Sequence, residues 1–373
     1  MSQNRSTPVV LLATALLAAC GGPLPGRRVG VNGKDAGDCL AAPCRTIGYA
    51  VAQARAGDTV SVDSGTYREA VTLSKRITLI GHHATIDAAG QTAPANGVLI
   101  VGDSSAGSRV AGFTIRHAGL EGIYVHRTSR VVIEDNVVEA NDAYGPKHPI
   151  CVHYQSDCGE AIHLQDATAS VVQRNTIRGN MGGILLTDED GPAADDTLAD
   201  NTVLDNPKDC GITLASHWID TASKSPVAEG VAGVYRNVVT RNTVNGNGGV
   251  GIGIFAAGPG GAAWGNQVVG NTAMHNGQSG IAVHGHTHPQ NVDGNVIRDN
   301  IVSANGTDME SVVDRQPSGI SVFSLLDTLR HTVVSGNRIS NERVGVSLMH
   351  VEGIANPGAN TGDGSVGQLF SVH

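Results

Sequence analysis

Residues 160–217 read EAIHLQDATASVVQRNTIRGNMGGILLTDEDGPAADDTLADNTVLDNPKDCGITLASH. The phrase Asn-x-[Val/Ile]-x-x-Asn occurs twice in this stretch, at residues 175–180 and 201–206. Short apolar runs lie between the copies, and polar or charged residues follow each run directly; the runs are residues 161–164, 183–186 and 211–214. This pattern indicates a repeated scaffold that carries reactive side chains along one edge.

The Asn phrase recurs along most of the chain. We mark seven copies, one per coil, at Asn136, Asn175, Asn201, Asn242, Asn271, Asn300 and Asn337; the copy at Asn271 has Ala in place of Val or Ile. In six copies the second Asn follows five residues later, and in the last copy the phrase ends one residue earlier, at Asn341. The copies are 26 to 41 residues apart, so insertions separate fixed pieces. A period of this size predicts a stacked array whose units bury their apolar faces against each other.

Each repeat holds three short β-type runs, as in residues 122–126, 131–133 and 137–138. None of these runs is long enough for a helix, and turn residues bound them all. Three short strands per repeat predict an all-β fold, a right-handed parallel β-helix formed by one chain, of about eleven coils. The repeated Asn are expected at the corner between the second and third runs. There they would adopt the left-handed backbone conformation and bond along the stack, so their predicted role is structural.

The Asn-marked coils, together with residues 44–47, 56–60 and 65–69, resemble the pectin-lyase-like right-handed β-helix superfamily. The resemblance covers roughly residues 39 to 350. That superfamily includes pectate and alginate lyases, mannuronan C5-epimerases, glycoside hydrolases and NosD-type periplasmic proteins. The resemblance implies a groove that binds a chain of sugars, but one scaffold hosts many reactions.

The two ends of the predicted solenoid differ from its middle. Residues 1–20 carry an apolar run ending in Leu-Ala-Ala-Cys, which resembles a bacterial lipobox, and the resemblance implies export and lipidation at Cys20. An ordinary signal peptide is the alternative. Residues 21–38 are expected to be a flexible tether, and residues 39–373 the β-helix domain. Apolar spacings of three and four over residues 46–56 predict a short helix that caps the first coil.

Charge and cysteine content indicate which partners and which disulfides the protein can have. The 373 residues carry a formal net charge of −9 with no basic stretch, which argues against nucleic acid. We expect a monomer that meets a membrane only through its lipid anchor. Export permits disulfides, and the short spacings suggest the pairs Cys39–Cys44 and Cys151–Cys158. Cys210 is left over and is expected to be a buried thiol.

Long insertions follow or precede the first run of most coils, whereas the corner between the second and third runs stays short. Such loops would wall a groove along one face. Strand alternation predicts which side chains face that groove. These outward side chains are Tyr124 and His126 on one coil, His163 and Gln165 on the next, and Leu185 and Thr187 on the coil after that. Three further candidates, Asp166, Asp188 and His217, begin the adjoining turns.

The chemistry most natural to this set is proton abstraction beside the carboxylate of a uronic acid. His163 is the candidate base and Tyr124 the candidate acid. His126 or Gln165 would hold the carboxylate, with Arg127 as the fixed cation and Lys147 as a further cation in a wall loop. Elimination would make the protein a lyase, and reprotonation from the other face an epimerase. The Asp-Pro-His signature of the resembled epimerases is absent.

The sequence is also compatible with three other functions. A glycoside hydrolase would use groove carboxylates drawn from Glu160, Asp166 and the acidic run Asp188, Glu189 and Asp190. A metal-binding protein would use His284 and His286, with His288, and these histidines are also candidate substrate contacts farther along the groove. The metal would be calcium at the acidic run, with copper or zinc less favoured. The fourth reading is a surface lipoprotein that binds glycans without catalysis.

Overall fold

The structure is a computed structural model and describes residues 26–91, 95–141, 159–307, 318–354, 360–363 and 369–372. The chain winds as a stack of parallel coils, each built from three short strands. Within the described residues, the first strands of the coils form one parallel sheet of eleven strands, called here the groove sheet. Its strands, with labels numbered along the chain, are β4 (Val71–Leu73), β6 (Val98–Val101), β8 (Ile123–His126), β11 (Glu160–Gln165), β14 (Gly182–Thr187), β18 (Ile212–Ser216), β22 (Ile252–Ala256), β26 (Ile281–Gly285), β29 (Ile320–Ser324), β33 (Val346–Met349) and β36 (Leu369–Val372).

The second and third strands of the coils form the other two faces and are joined in a sheet of 20 described strands. These are β1 (Arg27–Val29), β2 (Thr59–Val62), β3 (Gly65–Tyr67), β5 (Thr78–Asp87), β7 (Arg109–Arg116), β9 (Val132–Glu134), β10 (Val137–Glu139), β12 (Val171–Gln173), β13 (Thr176–Arg178), β16 (Thr197–Ala199), β17 (Thr202–Leu204), β20 (Val238–Thr240), β21 (Thr243–Asn245), β24 (Gln267–Val269), β25 (Thr272–Met274), β27 (Val296–Arg298), β28 (Ile301–Ser303), β31 (Val333–Ser335), β32 (Arg338–Ser340) and β35 (Thr361–Gly362). Short edge pairings add β15 (Ala193–Ala194), β19 (Val234–Tyr235), β23 (Ala263–Trp264), β30 (Leu329–Arg330) and β34 (Val351–Glu352). The predicted β-helix of about eleven coils is confirmed.

Three ladders of buried polar side chains hold the coils together. In the first ladder, Asn201 donates from Nδ2 to the Val172 carbonyl at 2.9 Å and to Asn242 Oδ1 at 3.0 Å, and its own Oδ1 accepts from Asn175. The same pattern runs without a break from Asn136 to Asn360. A second ladder runs through the phrase-ending Asn. A third ladder, outside the seven marked copies, joins Asn237, Asn266 and Asn295.

Two details of the predicted corners are wrong. The left-handed residue is the one before each ladder Asn, such as Arg174 (φ 54°) before Asn175, because the Asn itself must aim its amide inward. In the last phrase Asn341 takes this left-handed position (φ 56°) and Glu342 takes the ladder position. Glu342 accepts from the backbone and the amide of Asn305.

The N-terminal end is covered as expected. Helix α1 (Ile47–Gln53) begins after Thr46, whose hydroxyl accepts from the backbone N–H of Tyr49. The Glu69 carboxylate accepts the first two helical N–H groups, both at 2.8 Å, which suits the positive end of a helix. The predicted disulfide Cys39–Cys44 is present.

The predicted tether needs correction. Strand β1 lies inside residues 21–38 and pairs in parallel with β2, so this part of the segment belongs to the solenoid. Residues 1–25 lie outside the described residues, as do Cys151 and Cys158. Among the described residues, no helix is long and apolar enough to cross a membrane.

We expect Asn201→Ala to lower the free energy of unfolding by about 2–4 kcal/mol, because it strands buried partners on two neighbouring coils. Urea unfolding monitored by circular dichroism measures the effect. Asn245→Ala is the matched control, since Asn245 is half-buried on the outer face of β21. Equal losses from the two substitutions would contradict a ladder that stabilises the stack.

Candidate functional site

Strand register brings the predicted outward residues together. In the groove sheet, Tyr124 on β8 pairs with His163 on β11, and His126 pairs with Gln165. The Tyr124 ring stacks on His126 with centroids 5.6 Å apart and lies 5.2 Å from the His163 ring. The Tyr124 hydroxyl donates to Gln165 Oε1. The predicted cluster of two adjacent coils therefore exists, and its register is the predicted one.

Burial separates this cluster into two layers. Tyr124, His126 and Gln165 are partly exposed, whereas His163 is only 3% exposed. His163 therefore lies beneath Tyr124, and we revise its predicted role as the base that touches substrate. Burial lowers the pKa of His126, although the nearby Asp166 carboxylate opposes this shift. A neutral imidazole at ordinary pH is a competent proton acceptor.

Asp166 holds the next loop rather than facing the groove. Its Oδ1 accepts three consecutive backbone N–H groups, from residues 189, 190 and 191, at 2.9–3.1 Å. Its Oδ2 lies 3.8 Å from His126 Nε2 and 3.5 Å from Arg127 Nε. Burial raises the pKa of Asp166, and the three N–H donors counteract this shift.

Asp188 repeats this arrangement one coil later and is fully buried. It accepts from the backbone N–H groups of His217 at 2.7 Å and Gly233 at 2.6 Å, and from the Ser216 hydroxyl at 3.0 Å. Burial raises its pKa to about 7. Asp188 was predicted as a catalytic group, but both its oxygens are occupied inside the scaffold, so we assign it to anchoring the following loop.

Arg127 and Asp190 form an exposed ion pair at the groove edge, with side chains 54% and 64% exposed. His217 lies deeper and its Nδ1 is 3.1 Å from Glu189 Oε1. Glu160 is at the opposite end of β11 from Gln165 and is buried against Gly182, so it does not join the cluster. Lys147 lies outside the described residues.

The predicted groups His284 and His286 are on or just after β26, three strands beyond Thr187 in the groove sheet. At roughly 4.8 Å per strand they are too far away to act with Tyr124. His284 is sandwiched between Phe255 and Phe323, with interplanar angles of 3° and 6°. Burial lowers the pKa of His284 to about 3. This uncharged stack forms a second, aromatic half of the groove.

Three residues of the cluster were not chosen as site residues from the sequence: Glu121, Thr187 and Glu189. Thr187 was predicted to face the groove but was not chosen as a site residue. Glu189 lies in the acidic run 188–190, where the strand alternation ends and no longer predicts which carboxylate faces out. Its side chain is 29% exposed and it accepts from Thr187 Oγ1 at 2.8 Å.

The described residues do not support the metal-binding hypothesis. Among the described ranges, no three His, Cys, Asp or Glu side chains are grouped so that they could hold a metal ion. His284 Nδ1 lies 2.7 Å from His286 Nε2, and His288 turns away to Asp327. Burial raises the pKa of the unpaired Cys210 thiol well above its usual value, which makes it a poor ligand.

The stacked coils and the walled groove sheet define a right-handed parallel β-helix. The family model described as "Right handed beta helix region" matches residues 83–196. The model described as "Periplasmic copper-binding protein (NosD)" matches residues 151–272. Each model matches about a third of the chain, and together with the coil stack they show the right-handed parallel β-helix fold. The described residues do not fit copper in this region, because His163, His217 and Cys210 do not converge on one point.

Solved structures show the same fold at low identity. An alginate lyase from Paenibacillus sp. is 12% identical, with 93% of this chain and 98% of that chain covered and a TM-score of 0.53. DFA-IIIase from Arthrobacter chlorophenolicus A6, without its lid, is 15% identical, with coverage of 93% and 92% and a TM-score of 0.57. A pectate lyase is 14% identical, with coverage of 88% and 78% and a TM-score of 0.50. No curated protein matches.

We expect Asp188→Ala to lower the free energy of unfolding by about 3–5 kcal/mol, since it strands buried donors of the following loop. Asp190→Ala is the matched control; its exposed ion pair is worth at most about 1 kcal/mol. Limited proteolysis should also show faster cleavage within residues 217–233 in Asp188→Ala alone. Resistance equal to that of the unsubstituted protein would contradict the anchoring role.

Proposed function

We propose that this protein is a carbohydrate-active enzyme that abstracts the C5 proton of a uronic acid residue in a polysaccharide, as a lyase or a C5-epimerase. The observation that carries the proposal is the arrangement of Tyr124, stacked on neutral His126 and hydrogen-bonded to Gln165. The reaction requires a proton acceptor, a proton donor and a group that holds the substrate carboxylate.

The roles follow from exposure and hydrogen-bonding capacity. His126 accepts the C5 proton, because burial keeps its ring neutral and its side chain is 27% exposed. Tyr124 donates a proton to the leaving oxygen or to the opposite face of C5. The Gln165 amide and the Arg127 guanidinium bind the carboxylate, with Arg127 drawn from its pair with Asp190. His163 supports Tyr124 from below.

A glycoside hydrolase is the second candidate, and one observation favours it. Among the described residues around the cluster, carboxylates outnumber cations, since Glu121, Asp166, Glu189 and Asp190 accompany one arginine, Arg127. Glu189 is the partly exposed carboxylate that could act as an acid or a base, polarised by Thr187 and His217. A neutral glycan would then be the substrate.

A panel of uronate and neutral polysaccharides in deuterated water separates these candidates. The proposal expects deuterium at C5, together with ultraviolet-absorbing unsaturated ends for a lyase or without them for an epimerase. Tyr124→Phe and His126→Ala should each lower kcat/KM by about 10²–10⁴-fold. The matched controls are Tyr49→Phe at the capping helix and His275→Ala on an outer face.

Two results would overturn the proton-abstraction proposal. One is new reducing ends without C5 exchange or unsaturated product, which would favour the hydrolase. The other is full activity in Tyr124→Phe. Binding of glycans with no turnover of any polymer would leave a non-catalytic glycan-binding protein.

We also propose that the protein is exported and held at a membrane by lipid on Cys20, as a monomer. The NosD family that the chain matches is described as periplasmic, which supports export. Cys20→Ser should move the protein from the membrane fraction to the soluble exported fraction, whereas Cys210→Ser should not. Unchanged membrane association of Cys20→Ser would rule out the anchor.

A further inference from the structure

A chain of hydrogen bonds runs behind Tyr124 and uses none of the groups that the proposed reaction assigns to the substrate. His163 Nε2 lies 2.8 Å from Thr187 Oγ1, and Thr187 Oγ1 donates to Glu189 Oε2 at 2.8 Å. The other oxygen of Glu189 lies 3.1 Å from His217 Nδ1. Thr187 is fully buried, so water does not replace either of its partners.

The protons in this chain can be assigned from bonding capacity. A threonine hydroxyl has one proton, and a carboxylate has none to give, so the Thr187 proton points to Glu189. The Thr187 oxygen must then accept, which places a proton on His163 Nε2. In the neutral ring the lone pair is therefore on Nδ1. No described residue hydrogen-bonds to this buried Nδ1, and the nearest carboxylate oxygen, Glu121 Oε1, is 3.9 Å away.

We infer that Thr187 and Glu189 are positioning residues, which fix His163 as the Nε2–H tautomer and aim its basic Nδ1 at Glu121 beneath Tyr124. This inference rests on the proposed function for its effect on turnover, but the tautomer itself does not depend on any substrate. His163 so held can take a second proton only at Nδ1, between the Glu121 carboxylate and the Tyr124 ring. The His163 ring held in this way packs against Tyr124, with ring centroids 5.2 Å apart, and so fixes the position of the Tyr124 ring in the groove.

The direction in which these hydrogen bonds donate can be tested, because one substitution should reverse the bond between Thr187 and His163. In Glu189→Gln the amide NH₂ can donate to Thr187 Oγ1 while the amide oxygen accepts from His217. Thr187 would then donate to His163 Nε2, and the ring proton would move to Nδ1, where Glu121 can accept it. Thr187→Val removes the bond altogether, and Thr187→Ser retains it.

The measurement is two-bond ¹H–¹⁵N correlation NMR on the full chain with ¹⁵N-labelled histidine, in which the His163 signals are assigned by their loss in His163→Gln. We expect the Nε2–H pattern in the unsubstituted protein and in Thr187→Ser, and the Nδ1–H pattern in Glu189→Gln. Thr187→Val should give a mixture of both. Asp190→Asn, on the same loop, is the matched control and should keep the Nε2–H pattern. Circular dichroism and thermal midpoints identify any variant that fails to fold.

An Nδ1–H pattern in the unsubstituted protein, or no change in Glu189→Gln and Thr187→Val, would overturn the inference. On the polymer that the protein turns over, Thr187→Val should lower kcat at least tenfold with KM nearly unchanged, and Thr187→Ser should restore it. If the variants change the His163 tautomer but not kcat, these hydrogen bonds are only structural, and the assignment of Thr187 and Glu189 as positioning residues is overturned. If no uronate is turned over, the proposed function fails, while the NMR result still decides the tautomer.

Discussion

The rest of the structure depends on stacked, buried amide side chains. Each ladder Asn donates to the carbonyl of one neighbouring coil and to the amide oxygen of the other, and it does so at almost no exposure. A buried amide without partners is costly, so a coil that slipped along its neighbour would break several such bonds at once. Because side chains alternate along a strand, a slip by one residue would also turn the groove side chains into the core. The ladders thus fix the register, and the register fixes the site.

Buried polar side chains also join neighbouring coils at the edge of the groove sheet. Asp166 follows β11 directly and Asp188 follows β14 directly, and each gathers backbone N–H groups of the next coil's turn. A carboxylate at the end of one coil therefore holds the loop of the coil after it. Through these hydrogen bonds the two residues determine where Glu189, Asp190 and His217 lie. The insertions are free to vary in length because their first residues are tied to the scaffold.

The sequence predicted the solenoid, its eleven coils, its capping helix and one disulfide because each depends on local pattern. Alternation also predicted the outward register of Tyr124, His126 and Gln165. The failures occur where the period-2 rule ends or where burial depends on neighbouring coils. In the acidic run 188–190 the middle residue, Glu189, is the one that faces the cluster. His163 has the predicted direction, but Tyr124 on the adjacent coil covers it, and a single coil's sequence carries no signal for that contact.

The negative potential at the cluster depends on the hydrogen bonds and ion pairs that each carboxylate already makes. Asp166 Oδ1 is saturated by three N–H groups, Glu189 accepts from Thr187 and His217, and Asp190 is balanced by Arg127. A carboxylate bonded in this way projects less negative potential than an unpartnered one, because the donor dipoles oppose its charge. The partly exposed groups of the cluster are Tyr124, whose hydroxyl donates to Gln165, Gln165 itself, and His126, whose pKa burial lowers. Under the proposed function, an anionic sugar would meet the Gln165 amide and the Arg127 guanidinium, so the acidic composition of the chain does not by itself oppose a uronate.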